Sequence, residues 1–193
     1  MAETAHADML EHIGPWTEQD YLALPADRQR IELLEGSLLV SPSASNRHQR
    51  LSSQLWFALA VAAPPSLEVL EAINVRVAPG TILIPDLTVV STPGTDRTVT
   101  EPDDVVLVVE ITSPGNAIVD RALKPQLYAQ ASIPHYLRID QGEDGPGAVL
   151  YQLKRDSYLE VARADPGRLL VLTEPIAVTL DLAALSAATR PPS

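Results

Sequence analysis

The chain has no cysteine, two lysines, four scattered histidines and few bases against its acids. Without cysteine there is no disulfide and no thiolate metal site, and a reducing cytoplasm is the expected compartment. The histidines lack the spacing of metal ligands, so His48 and His135 read as structural or surface residues. No apolar run reaches the ~18 residues that suggest a membrane span. The first residues, MAETAHADMLEHIGPW, lack a basic stretch followed by an apolar one, so no secretory leader is expected. The phosphate-cradling patterns GxxxxGK[ST] and GxGxxG are absent. Ser113 stands in SPG rather than in GxSxG, and no histidine is placed by the sequence to serve it. Fourteen bases against 25 acids leave a formal charge of −11, which counts against broad electrostatic adhesion to nucleic acid. An enzyme that meets phosphate through bound divalent cations and a local arginine patch is compatible with that charge.

With 193 residues, 46% of them apolar, the chain can bury the core of one domain. Seventeen prolines fall mostly between apolar runs and predict short, well-punctuated connections. Thr17 to Asp20 form a capping box for a short helix, and a second short helix is expected over residues 27–34, carrying Glu32. GSLLV reads as a strand and SPSASN as a loop whose Ser43, Ser45 or Asn46 caps the next helix, about 47–62. Leu51, Leu55 and Leu59 give that helix its apolar stripe. LEVLEAINVRV supplies one or two strands, ILIPDLTVV one, and DVVLVVEI the most buried strand of the sheet. A helix follows over 117–131, with Pro125 either kinking it near Arg121 or lying in a first turn that starts near Leu123. Leu123, Leu127, Tyr128 and Ala131 are its expected core face. HYLRID is a strand, QGEDGPG a loop, and AVLYQLKRD with SYLEVAR a hairpin. Short strands at 168–173 and 176–180 precede a last helical turn. The expected whole is one α/β domain over residues 17–187, a mixed central sheet flanked by helices. Residues 1–16 are expected to form a flexible lead and 188–193 a loose tail.

Two acids stand out. Asp86 lies inside ILIPDLTVV and Glu110 ends VVLVVE, and a carboxylate buried in such surroundings is costly unless paired or bound to a metal. Hard oxygen ligands holding Mg2+ or Mn2+ are what phosphodiester hydrolysis needs, since the ion offsets charge on phosphorus and activates a water. Surface carboxylates are common, so from spacing alone water-facing or arginine-paired acids are an equal reading. Lys124 could orient the attacking water, or could form a surface pair with Asp120. Glu32 is a third acid within reach of a metal from a preceding helix. Arg47, His48 and Arg50 crowd a helix N-terminus against its dipole. They read either as a solvated basic turn or, for Arg47 and Arg50, as phosphate contacts beside the site. Tyr128 reads as core.

The succession IELLEG, SP, RHQR, IPDL, VVEITSPGN and DRALKPQLYAQASIPHYLRID resembles the Uma-type family of putative restriction endonucleases, within the PD-(D/E)XK nuclease superfamily. The closing EPIAVTLDLAAL is similar to the family's usual end, and the resemblance spans about residues 17–185. It implies a restriction-endonuclease-like α/β core and Mg2+-dependent cleavage of DNA. By matching position, Asp86 is the PD aspartate and Glu110 the acid of the second half-motif. The lysine usual two residues later is replaced by Thr112, a further candidate phosphate contact, and Lys124 matches the lysine displaced to the next helix. Glu32 matches the N-terminal helix acid. The expected function is a metal-dependent endonuclease acting on DNA as a homodimer, since cutting two strands takes two sites. Two other readings stay open: an inactive oligomeric binding protein on the same fold, and a metal-dependent hydrolase of a small phosphate ester.

Overall fold

The computed structural model describes residues 12–25, 30–112 and 122–188. The expectations of a flexible lead over its first eleven residues, a turn at SPGN, a kink near Arg121, an Asp120–Lys124 pair and a loose tail lie outside the described residues.

Four helices and thirteen strands carry the described fold. The helices are α1 (Glu18–Leu22), α2 (Asn46–Ala62), α3 (Lys124–Gln130) and α4 (Leu182–Ala188). The first strands are β1 (Arg30–Leu34), β2 (Ser37–Ser41), β3 (Glu68–Glu71), β4 (Asn74–Ala78), β5 (Thr81–Leu83), β6 (Leu87–Val90) and β7 (Val99–Thr100). The remainder are β8 (Val105–Thr112), β9 (His135–Gly142), β10 (Gly145–Lys154), β11 (Ser157–Ala164), β12 (Leu169–Leu172) and β13 (Val178–Asp181). A six-stranded sheet runs β11-β10-β9-β8-β6-β3 and a five-stranded sheet β2-β1-β5-β4-β7, with β12 and β13 paired apart. In the six-stranded sheet β8 and β9 are parallel, joined by the crossover that contains α3, and the other pairs are antiparallel. The architecture is the expected mixed α/β one, sheets flanked by helices.

The β-branched run of β8 makes it an interior strand, as expected, with seven of its eight residues buried. Alternation divides them. Leu107, Val109 and Ile111 meet Leu51, Leu55 and Leu59 of α2 and Leu182 and Leu185 of α4 in the larger core. Val108 joins Tyr128, Ile133 and Tyr136 in a second core on the other face. Ser45 caps α2 by accepting from the His48 amide, and the Thr17 capping box opens α1.

Three expectations are corrected. Of the helix expected over 27–34, residues 27–29 lie outside the described residues and the remainder is β1. The alternation in RIELL turns Ile31 and Leu33 into a small core with Tyr21 and Ile82 and leaves Glu32 on the opposite face. The hairpin to β2 turns at Glu35 and Gly36, with φ of 47° and 80°. A two-residue hairpin of that hand needs positive φ at both central positions, and a Cβ on Gly36 would lie 2.8 Å from that of Pro15. Second, ILIPDLTVV is two strands in different sheets: β5 pairs with β1 and β4, while β6 pairs with β3 and β8. Pro85 cannot donate to a ladder, and the chain crosses between sheets there. Third, β9 and β10 extend through most of the expected QGEDGPG loop and leave only Glu143 and Asp144 to turn. As for α3, Pro125 lies in its first turn, the second of the two expected arrangements.

Candidate active site

The crossing between the two sheets is where the charged residues meet. Asp86 stands one residue before β6, Glu110 is on neighbouring β8, Glu32 comes from β1 and Lys124 opens α3. Sequence distances of 14 to 92 residues close to hydrogen-bond lengths: Lys124 Nζ donates to Glu32 Oε1 at 3.0 Å and to Glu110 Oε1 at 3.1 Å. All four are nearly closed to solvent, at 1% for Glu32, 2% for Glu110, 4% for Lys124 and 6% for Asp86. Lys124 is therefore no surface residue, and its burial displaces Leu123 and Leu127 to half-buried positions beside the core-facing Tyr128.

Each carboxylate is held by named donors. Glu110 Oε1 also accepts from the Tyr128 hydroxyl at 2.6 Å, so the core tyrosine has a polar function at its tip. Glu32 Oε1 accepts from the Ile84 amide at 2.7 Å, which ties the acid to the segment crossing between sheets. Asp86 Oδ2 accepts from the Ile111 amide at 2.6 Å, and Oδ1 from Arg30 Nη1 at 2.5 Å. The imidazole Nε2 of His48 lies 3.4 Å from Asp86 Oδ2. Arg30 Nη2 stands 3.7 Å from Glu110 Oε2, so one guanidinium lies between the two acids.

The electrostatics are unequal. Burial pushes the Asp86 carboxyl up, but His48, Arg30 and the Ile111 amide outweigh it and hold the group at about 2. Burial pushes Glu110 up to about 7, with Asp86 and Glu32 adding to the rise and Lys124 and Arg30 opposing it. Three carboxylates face two basic side chains, Arg30 and Lys124. The deficit of positive charge falls on Glu110.

The donor set fits a hard divalent cation in one specific way. Among the described residues no three acids or histidines are gathered so that they could hold an ion by themselves. Glu32, expected to join Asp86 and Glu110 around a metal, has one oxygen turned to Lys124 and Ile84. Asp86 and Glu110 stand beside it, and Mg2+ is commonly held by one or two carboxylates with waters and substrate phosphate. The Arg30 guanidinium marks the place where both acids meet positive charge.

The other candidates lie around this centre. The Thr112 hydroxyl donates to Asp140 Oδ1 at 2.7 Å, and Arg138 Nε donates to Asp140 Oδ2 at 3.0 Å, so Thr112 is engaged inside the fold. Arg47 is exposed and donates through Nη2 to the Gly142 carbonyl at 2.8 Å, and Arg50 is exposed on the same helix turn. His48 is the residue of that turn that reaches the carboxylates. It and Arg30 were missed as site residues. Arg30 carried a signal: read as a strand, RIELL puts Arg30 and Glu32 on one face.

The family profile described as Uma2, putative restriction endonuclease, matches residues 18–185. No curated protein matches the sequence. Among solved structures, the crystal structure of a putative nuclease belonging to DUF820 from Anabaena variabilis ATCC 29413 is similar, with a TM-score of 0.72. The match covers 91% of this chain and 100% of that one at 16% identity, so the likeness is one of fold.

Proposed function

The chain belongs to the Uma2 family of putative restriction endonucleases, and on that premise we propose that it is a metal-dependent endonuclease hydrolysing DNA phosphodiester bonds. The observation that carries the reading is the convergence of Asp86, Glu110 and Lys124, from three separate elements, in one buried site. Asp86 and Glu110 would hold Mg2+ or Mn2+. A bound ion supplies charge stabilisation at the scissile phosphate and lowers the pKa of an attacking water. Lys124 keeps an ammonium beside Glu110, where it orients that water and offsets developing charge. Glu32 and Tyr128 act through others: Glu32 fixes Lys124, and Tyr128 fixes the Glu110 oxygen that Lys124 shares. Arg47 and Arg50, at the exposed start of α2, are placed to meet flanking phosphates, and Thr112 steadies the Asp140–Arg138 pair.

A homodimer and a cytoplasmic location belong to the same proposal. The first is supported by exposed Leu159 and Val161 on β11 and Leu169 and Val171 on β12, apolar surface that a second copy would cover. The second rests on the cysteine-free composition. Among the described residues, no helix is long and apolar enough to cross a membrane.

A second reading has one observation in its favour: Arg30 already pairs with both acids, as it would in a binding protein without turnover. Calorimetry with Mg2+ and Mn2+ separates the two. The endonuclease reading expects binding in the wild type, loss in Asp86→Ala, tighter binding in Arg30→Ala, and nicking of supercoiled plasmid that Lys124→Ala abolishes. No metal binding in wild type or Arg30→Ala, with and without oligonucleotide, would leave the second reading standing.

A further inference from the structure

The face of the six-stranded sheet that carries Glu110 continues beyond it. Register sets Arg138 of β9 directly beside Glu110, and Tyr136 beside Val108 one row back. Tyr151 of β10 pairs with Tyr136 in that same row. A cleft of about 490 Å³ opens here between α3 and the outer strands β9 to β11. Its lining combines Tyr151, Tyr158 and Arg138 from the sheet with Gln126 and Gln130 from the exposed side of α3.

The lining is ordered. Tyr136 and Tyr151 stack with centroids 5.6 Å apart and planes inclined by 19°, and Tyr158 lies 5.7 Å from Tyr136. The Tyr158 hydroxyl donates to the Ile133 carbonyl at 2.8 Å, and the Arg138 guanidinium lies 5.6 Å from the Tyr151 ring centroid. Tyr151 and Tyr158 stay half exposed, while Tyr136 beneath them is buried. Rings flanked by two exposed amides make a surface for a flat heterocycle with hydrogen-bonding edges. The cleft lies two strands from Glu110, roughly 10 Å at the usual strand spacing, which is within reach of one nucleotide.

The charge points the same way. A chain at −11 gains little from a wide track of phosphates. Stacking on aromatic rings, helped by an arginine, binds nucleic acid without one. We propose that this cleft receives an unpaired nucleobase of the substrate strand, next to the phosphodiester at Asp86 and Glu110. The proposal rests on the endonuclease reading of that neighbouring site and gives it a substrate class: single-stranded or locally opened DNA.

The test is calorimetry in EDTA with deoxyadenosine monophosphate and with 2-deoxyribose 5-phosphate, which lacks the base. The nucleotide is expected to bind at least tenfold more tightly than the sugar phosphate. Tyr151→Ser is expected to weaken it by roughly tenfold or more, the effect of losing one stacking ring. If that variant fails to fold, the exposed double variant Gln126→Ala, Gln130→Ala decides, with a several-fold loss expected. Equal binding of the two probes, or wild-type affinity in the deciding variant, overturns the proposal. Plasmid cleavage and Mg2+ titration on the same protein keep the two readings apart. Nucleotide binding without metal binding or cleavage leaves the cleft and removes the endonuclease. Cleavage with no preference for the base leaves the endonuclease and removes the cleft.

Discussion

The two faces of the six-stranded sheet are built from alternate residues of the same strands, yet they are opposite in character. On one, Leu107, Val109 and Ile111 of β8 and Leu137 and Ile139 of β9 pack dry against α2 and α4. On the other, Val108, Glu110 and Thr112 stand beside Tyr136, Arg138 and Asp140, and buried charge is tied up in ion pairs and hydrogen bonds. The first face gains stability from every residue it buries. The second carries carboxylates whose desolvation only their partners offset, a cost that buried ion pairs often fail to recover. The difference teaches a division of labour: the charged face spends stability on bringing Asp86, Glu110 and Lys124 together, and the apolar face holds the sheet that positions them.

The contrast can be broken most strongly through Glu110. Glu110→Ala is expected to lower DNA cleavage by roughly 10³-fold or more, the scale of losing a principal transition-state contact, with Mg2+ binding lost in calorimetry. Loss of cleavage with unchanged metal binding would separate Glu110 from the ion.

Lys124→Met comes next. Removing one partner of a buried ion pair costs about 3–5 kcal/mol, here by stranding Glu32 and Glu110. Denaturant unfolding should show that loss, and Lys124→Met with Glu32→Gln should recover part of it. Additive losses would mean that the two residues are not coupled.

On the apolar face, Leu107→Ala should cost about 2–5 kcal/mol from a lost side chain and a cavity. Metal affinity of the folded fraction should be unchanged. A changed affinity would show that the two faces are not independent.

The smallest effect is that of pH. Glu110 is raised to about 7 from 4.5, so the folded protein holds a proton that the unfolded chain releases, and this contribution to stability fades as pH rises through about 7. Asp86 is lowered from 3.8 to about 2, so its contribution is present above 3.8 and fades as pH falls towards 2. Melting temperature without metal should therefore decline gently from pH 5 to 8. Mg2+ affinity should rise over the same range as the competing proton leaves Glu110, and a flat affinity would contradict the raised carboxyl.

Much of this was legible in the chain. The β-branched run of β8, the stripe of α2 with its Ser45 cap, the β10–β11 hairpin and the odd placement of Asp86 and Glu110 in apolar surroundings are local patterns. Glu32 and Lys124 were recognised as candidates, but neither Glu32's strand nor the burial of Lys124 was. RIELL is too short for periodicity to choose between helix and strand, and a lysine four residues after Asp120 resembles any surface pair. Arg30 and His48 gave weak signals because their partner, Asp86, is 56 residues from one and 38 from the other.

The sequence by itself determined the elements, the apolar core and which acids could not stand unpaired, because alternation, helical spacing and desolvation act over a few neighbouring residues. Only the tertiary structure decided that Lys124 sits between Glu32 and Glu110, that Arg30 lies between the two candidate metal ligands, and that tyrosines line a cleft beside them. Those choices depend on which strands become neighbours, and strand order is set by packing across the whole sheet.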